Sequence, residues 1–131
     1  MDALAPRGVW ITAGFFVATG VVEIGFGVYE TSPLAFWPIW DAFFRGVLHF
    51  LLAFGLWRRI ALCRSVAMVY CLAMLTTYGV VLGMALAQAP VAFPESVKLQ
   101  SLIQVPSCAL LLPFLRSPQA SRLFTKAIFG P

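Results

Sequence analysis

The chain has 131 residues, 61% of them hydrophobic and 11% charged, with a formal net charge of +4 and a mean hydropathy of +0.91. Soluble domains average roughly 45–50% apolar and ~25% charged residues, so a water-soluble fold would expose a large apolar excess and is excluded. Disorder, collagen and a disulfide-stapled scaffold each need a composition that this chain lacks, which leaves a small all-α membrane protein.

A helix crossing the hydrocarbon core needs ~20 mostly apolar residues. Four stretches meet that length. The first runs from Gly8 to Glu30 and is interrupted only by Glu23. Thr31, Ser32, Pro33 and Pro38 follow it as breakers, because proline cannot continue a helical ladder. The second covers 40–57, carries Asp41, Arg45 and His49, and closes at Trp57-Arg58-Arg59. The third covers 65–88 and contains no charged residue. Pro90, Pro94 and Glu95 precede the fourth, 97–115, which holds Gln100, Gln104, Pro106 and Pro113. Short connections place successive helices antiparallel and adjacent, so the expectation is an up-down four-transmembrane-helix bundle forming one integral membrane domain over 1–131. Residues 117–131 put Leu123, Phe124, Ala127 and Ile128 on one face beside Arg122 and Lys126. That pattern fits a short amphipathic helix on the inner leaflet, with a frayed tail as the alternative.

Orientation follows from the loop cations. With the N-terminus inside, Arg7, Arg58, Arg59, Arg64, Arg116, Arg122 and Lys126 fall on the inner side and only Lys98 on the outer side. Both termini are therefore expected in the cytoplasm, in a bacterial inner membrane. Phe36, Trp37 and Trp40 at the outer edge and Trp10 and Trp57 at the inner edge match the aromatic belts of a bilayer. The first apolar run exceeds the ~7–15 residues of a signal-peptide core and reads as a retained span. Membrane orientation accounts for the basic balance, and no nucleic-acid partner is expected.

Charged groups inside spans cost ~2.5–3.5 kcal/mol each on insertion scales, so they persist when paired, hydrated or functional. Asp41, Arg45 and His49 recur at i, i+4 and i+8 on one helix face. Asp41 reads as a solvated residue near the helix start. Glu23 lies roughly 10 Å below the outer end of the first span, a depth between those of Arg45 and His49. The spacing therefore predicts that Glu23 faces Arg45 and His49. Gln100 and Gln104 share a face of the fourth helix, and Tyr78 lies near the middle of the third. Glu23, Arg45, His49, Tyr78, Gln100 and Gln104 are the candidate ligand-binding residues of an outward-facing polar pocket. A purely architectural role, in which these groups specify which helices meet, explains the same pattern.

Gly79 and Gly83, with Ala87, form a small-residue stripe, and Gly14 with Ala18 and Ala42 with Gly46 form shorter ones. Such stripes are expected to pack helices within the bundle, with a homodimer face as the alternative. Cys63, Cys71 and Cys108 have no metal-site spacing and are expected as free thiols. No metal or cofactor is expected, since one histidine cannot supply bis-histidine haem ligation and no phosphate loop, nucleophile elbow or HExxH motif occurs.

The stretch Gly46 to Arg59, ending in Gly55-Leu56-Trp57-Arg58, resembles a segment of several small four-span bacterial families, including DoxX-like proteins. The likeness covers a single helix and carries no activity with it. The leading functional expectation is a non-enzymatic bundle that binds or carries a small polar or amphiphilic ligand. Two alternatives are an accessory or assembly subunit of a larger membrane complex and a membrane-embedded isomerase using Glu23 and His49 for proton exchange.

Overall fold

The structure, a computed structural model, describes residues 4–30, 36–88, 93 and 95–126. Among them the regular structure is helical, apart from one isolated bridge. The helices are α1 (Leu4–Glu30), α2 (Phe36–Trp57), α3 (Ala61–Leu86), α4 (Glu95–Arg116) and α5 (Pro118–Leu123). Among the described residues three helices are long and apolar enough to cross a membrane: Arg7–Gly25 within α1, Ala61–Leu86 and Val97–Arg116. Their outer surfaces are apolar, with Leu110 78%, Leu86 76% and Val69 68% exposed. Such surfaces suit lipid contact. The second expected span, α2, is not among these three over its described residues.

Helix boundaries depart from expectation at two places. Pro38, expected among the breakers, falls inside the first turn of α2. A first-turn residue has no intrahelical N–H bond to lose, so proline fits there. α3 starts at Ala61 and leaves only Arg58 to Ile60 between it and α2. The connecting segments at 31–35 and 89–92 and residue Pro94 lie outside the described residues, as do Ala127 and Ile128.

The chain divides into two compact units, 1–64 with 122–131 and 65–121. In the first unit α1 and α2 run antiparallel. Three contacts set the register: Trp10 with Trp57, Phe16 with His49, and Glu23 with Arg45. Each step up α1 is met by a step down α2. The helices approach most closely at Gly20 and Gly46. A Cβ added to Gly20 would sit 3.1 Å from the Gly46 carbonyl oxygen, and the Ile24 side chain fills the space above Gly46. Interior residues of this unit include Val9, Thr12, Ala13, Phe16, Ala42, Ala53 and Leu56.

α2 ends in a Schellman motif. The Ile60 N–H donates to the Gly55 carbonyl at 2.9 Å, the Arg59 N–H donates to Leu56 at 3.0 Å, and Arg59 takes a φ of 63°. Glycine usually occupies such a position, because a Cβ there crowds the following carbonyl. The strand-like bridge pairs this turn with the chain after α5: Lys126 N–H donates to Arg59 O at 3.2 Å and Ala61 N–H to Lys126 O at 3.0 Å. Phe124 is 3% exposed, so its ring packs into protein. The expected apolar tail face is thus partly buried in the fold.

In the second unit α3 and α4 run antiparallel, with Cys71 set against Cys108 and Tyr78 against Gln100. Hydroxyl groups in the long helices bond to their own backbone: Thr12 to Gly8, Thr19 to Phe15, Thr76 to Leu72 and Ser107 to Ile103, at 2.7–2.9 Å. Such back-bonding satisfies a hydroxyl where no water is at hand. In α4 the Ser107 bond lies directly after Pro106, which cannot donate to the carbonyl one turn below.

Gly20→Ala is expected to weaken α1–α2 packing by about 1–3 kcal/mol, since its methyl meets a backbone oxygen that cannot move aside. Nothing lies within 4 Å of a Cβ on Gly14, so Gly14→Ala should be neutral or stabilising by up to ~1 kcal/mol. Denaturant unfolding of both variants in one detergent checks the contrast. Arg59→Gly should stabilise the α2–α3 turn by roughly 1 kcal/mol in the same measurement.

Candidate functional site

The close crossing at Gly20 and Gly46 determines where the charges meet. Glu23 stands three residues beyond Gly20 on α1, and Arg45 immediately precedes Gly46 on α2. With the two backbones drawn together, the Arg45 guanidinium reaches both carboxylates of this unit's candidate site. Its Nη1 lies 3.4 Å from Glu23 Oε2, and its Nη2 lies 3.0 Å from Asp41 Oδ2. The Glu23 side chain is 19% exposed, Arg45 is 52% exposed and Asp41 66%. Asp41, expected to be a solvated residue at the helix start, is therefore the third member of an ion cluster. Its place one turn before Arg45 on the same helix also favours the pair, with the acid N-terminal to the base.

His49 takes its own place in this arrangement. Its Nδ1 donates to the Arg45 carbonyl at 2.7 Å. A carbonyl can only accept, so the bond puts a proton on Nδ1. Nε2 is buried, and the imidazole packs 6.1 Å from the Phe16 ring. The bond to the backbone one turn back fixes the imidazole on the α2 side of the α1–α2 contact.

The other predicted residues belong to the second unit. Tyr78 Oη donates to Gln100 Oε1 at 2.9 Å, a bond between α3 and α4. Gln104, one turn further along α4, has its Oε1 3.8 Å from the Cys108 thiol. The two glutamines share a face as expected but have different partners. The thiols of Cys71 and Cys108 are in hydrogen-bond contact across the same helix pair, and both are buried. The three cysteines are free, and no cluster of three or more potential metal ligands occurs among the described residues.

The small-residue stripes behave differently from one another. An added Cβ on Gly79 or Gly83 would meet nothing within 4 Å, so this stripe packs against no described neighbour. The close contact expected there occurs at Gly46, which was singled out, and at Gly20, which was not. Gly20 has Ile24 rather than a small residue one turn on, and its role depends on the register with α2.

A second feature of the first unit lies towards the Trp10–Trp57 end. An open cavity of about 500 Å³ runs between α1 and α2, lined by Trp10, Gly14, Val17, Phe50, Phe54 and Trp57 among others. Phe50 and Phe54 each follow by one residue a member of the His49–Ala53 row, a turn of ~100° round the helix. Ala53 and Trp57, which extend the Asp41–Arg45–His49 row at four-residue spacing, line it as well, so the groove lies further along α2 from Asp41 and Arg45. The walls are apolar throughout.

No protein-family model, curated protein or solved structure matches this chain. The likeness of Gly46 to Arg59 to DoxX-like proteins gains no support from these comparisons. The site must be read from its own chemistry.

Arg45→Gln leaves the largely buried Glu23 carboxylate without its cation and is expected to cost about 1–3 kcal/mol. Asp41→Asn removes an exposed i,i+4 pair and should cost under about 0.5 kcal/mol. The double variant Glu23→Gln with Arg45→Gln should recover part of the larger loss. A double-mutant cycle read by thermal unfolding in detergent checks all three values.

Proposed function

We propose that this protein is a small polytopic membrane protein whose first two helices bind a polar or amphiphilic ligand at the Glu23–Arg45–Asp41 cluster. The observation that carries this reading is the half-exposed guanidinium of Arg45 between one largely buried and one exposed carboxylate. Two carboxylates against one guanidinium leave a formal excess of negative charge. A head group bearing an amine, or another donor of hydrogen bonds, complements that excess better than an anion does. Asp41 stays accessible, so a ligand can join the cluster without first breaking the buried pair.

The membrane arrangement belongs to the same proposal. α2 crosses the bilayer beside α1, completing four antiparallel spans, with both termini in the cytoplasm of a bacterial inner membrane. Its internal pairs offset the insertion cost of Asp41 and Arg45. The uneven distribution of loop cations supports the orientation. Alternating reporter fusions after Arg7, Arg58, Gln88 and Arg116 should report inside, inside, outside and inside. A reporter outside after Arg58 overturns this topology.

Binding is tested with a matched pair of probes, a long-chain alkylamine and the carboxylic acid of equal chain length. The amine is expected to raise the unfolding midpoint of the purified protein, and Asp41→Asn should abolish most of that rise. Equal stabilisation by the acid, or an undiminished rise in the variant, overturns the reading.

A second reading is favoured by the open space around Gly79 and Gly83. An accessory subunit would use this stripe against a helix of a larger complex. Gly79→Leu should then abolish co-purification with larger membrane partners while leaving the monomer folded.

A further inference from the structure

The groove between α1 and α2 has two properties that the ion cluster does not explain. Its walls are apolar, and its far end is lined by two tryptophans that have arginines close by in the chain. Trp10 and Trp57 pack with ring centroids 6.1 Å apart and are 63% and 47% exposed. Arg7 stands one turn before Trp10 on α1, and Arg58 directly follows Trp57 on α2; both are exposed. Arg7, Gly14 and Ala18 fall on one side of α1 at helical spacing, so the basic end and the groove share a face. The described carboxylates of this unit, Glu23 and Asp41, both lie beyond the Gly20–Gly46 crossing.

We propose that this groove holds an acyl chain of an anionic phospholipid whose phosphate is met by Arg7 and Arg58. Charge complementarity selects the occupant. An apolar channel alone accepts any lipid chain, whereas paired guanidiniums at its mouth favour an acidic head group. Tryptophan rings at that level belong at the boundary between head groups and chains. Gly14, whose missing side chain leaves open space, and Ala13 and Ala53 keep the channel wide enough for a chain. A length of about 15 Å along α1 and α2, from Trp10 to the level of Gly20–Gly46, matches one leaflet's hydrocarbon depth. The inference rests on α2 crossing the bilayer beside α1, and it is independent of what binds at Glu23 and Asp41.

The test uses the full chain carrying Trp37→Phe and Trp40→Phe, so that Trp10 and Trp57 report alone. It is reconstituted in phosphatidylcholine vesicles with chain-brominated phosphatidylglycerol or, at equal mole fraction, chain-brominated phosphatidylcholine. Brominated phosphatidylglycerol is expected to quench the two tryptophans with a several-fold higher apparent association constant. Arg7→Gln and Arg58→Gln should each reduce that preference about fivefold, the factor corresponding to ~1 kcal/mol per basic residue near an anionic surface. Gly14→Leu, which fills the channel, should lower quenching by both lipids. Equal quenching by the two lipids, insensitive to the arginine variants, marks an ordinary lipid annulus and overturns the proposal. Quenching that rises as the protein is diluted in the bilayer marks a second copy in the groove and also overturns it. A separate labelling measurement at an Asp41→Cys site, in a background with the native cysteines replaced, reports whether α2 crosses. Failure of the membrane arrangement is thereby distinguished from failure of the lipid site.

Discussion

The contact between Gly20 and Gly46 is the constraint from which the first unit is built. Two helices can meet closely only where side chains are absent or interdigitate, and here a glycine on each side allows the backbones to approach. Ile24 then occupies the space above Gly46. Once that register is set, Glu23 and Arg45 are brought within ion-pair distance and Phe16 comes to face His49. A shift of α1 by one turn would separate each of these pairs together. Packing therefore comes first, and the electrostatics follow from it.

The polar groups of this chain are handled in three distinct ways. Hydroxyls bond to carbonyls of their own helix and make no demand on a partner. Tyr78, Gln100 and the Cys71–Cys108 thiols are satisfied between α3 and α4, where a buried polar atom would otherwise lose its hydration. Glu23, Arg45 and Asp41 form a graded cluster, buried on the glutamate side and open on the aspartate side. The first two arrangements hold helices together. The graded cluster also leaves charge within reach of a ligand, which makes it the feature most suited to binding.

The α2–α3 turn joins local and distant structure. A Schellman motif ends α2 with an arginine in the left-handed position, and the chain after α5 is hydrogen-bonded to that turn. Strain at Arg59 is thus accepted where two backbone bonds from Lys126 hold the turn in place. The same region carries Trp57, so the tail and the turn adjoin one end of the groove.

Composition and breakers were enough to establish a helical membrane protein, because length and hydropathy act locally along each helix. The i, i+4, i+8 row was enough to put Asp41, Arg45 and His49 on one face, because helical geometry is local as well. The depth of Glu23 predicted its meeting with Arg45 for the same reason, given antiparallel neighbours. Register between helices is a different kind of information. Gly20 has no small partner one turn away, so nothing in its neighbourhood marks it as the crossing point, whereas the conspicuous Gly79–Gly83 stripe packs against no described residue. The membership of Asp41 in the ion cluster, the turn of His49 towards its own backbone and the apolar groove beside Trp10 and Trp57 likewise depend on which faces meet. Tertiary structure decided those points, because each arises from contacts between residues far apart in the chain.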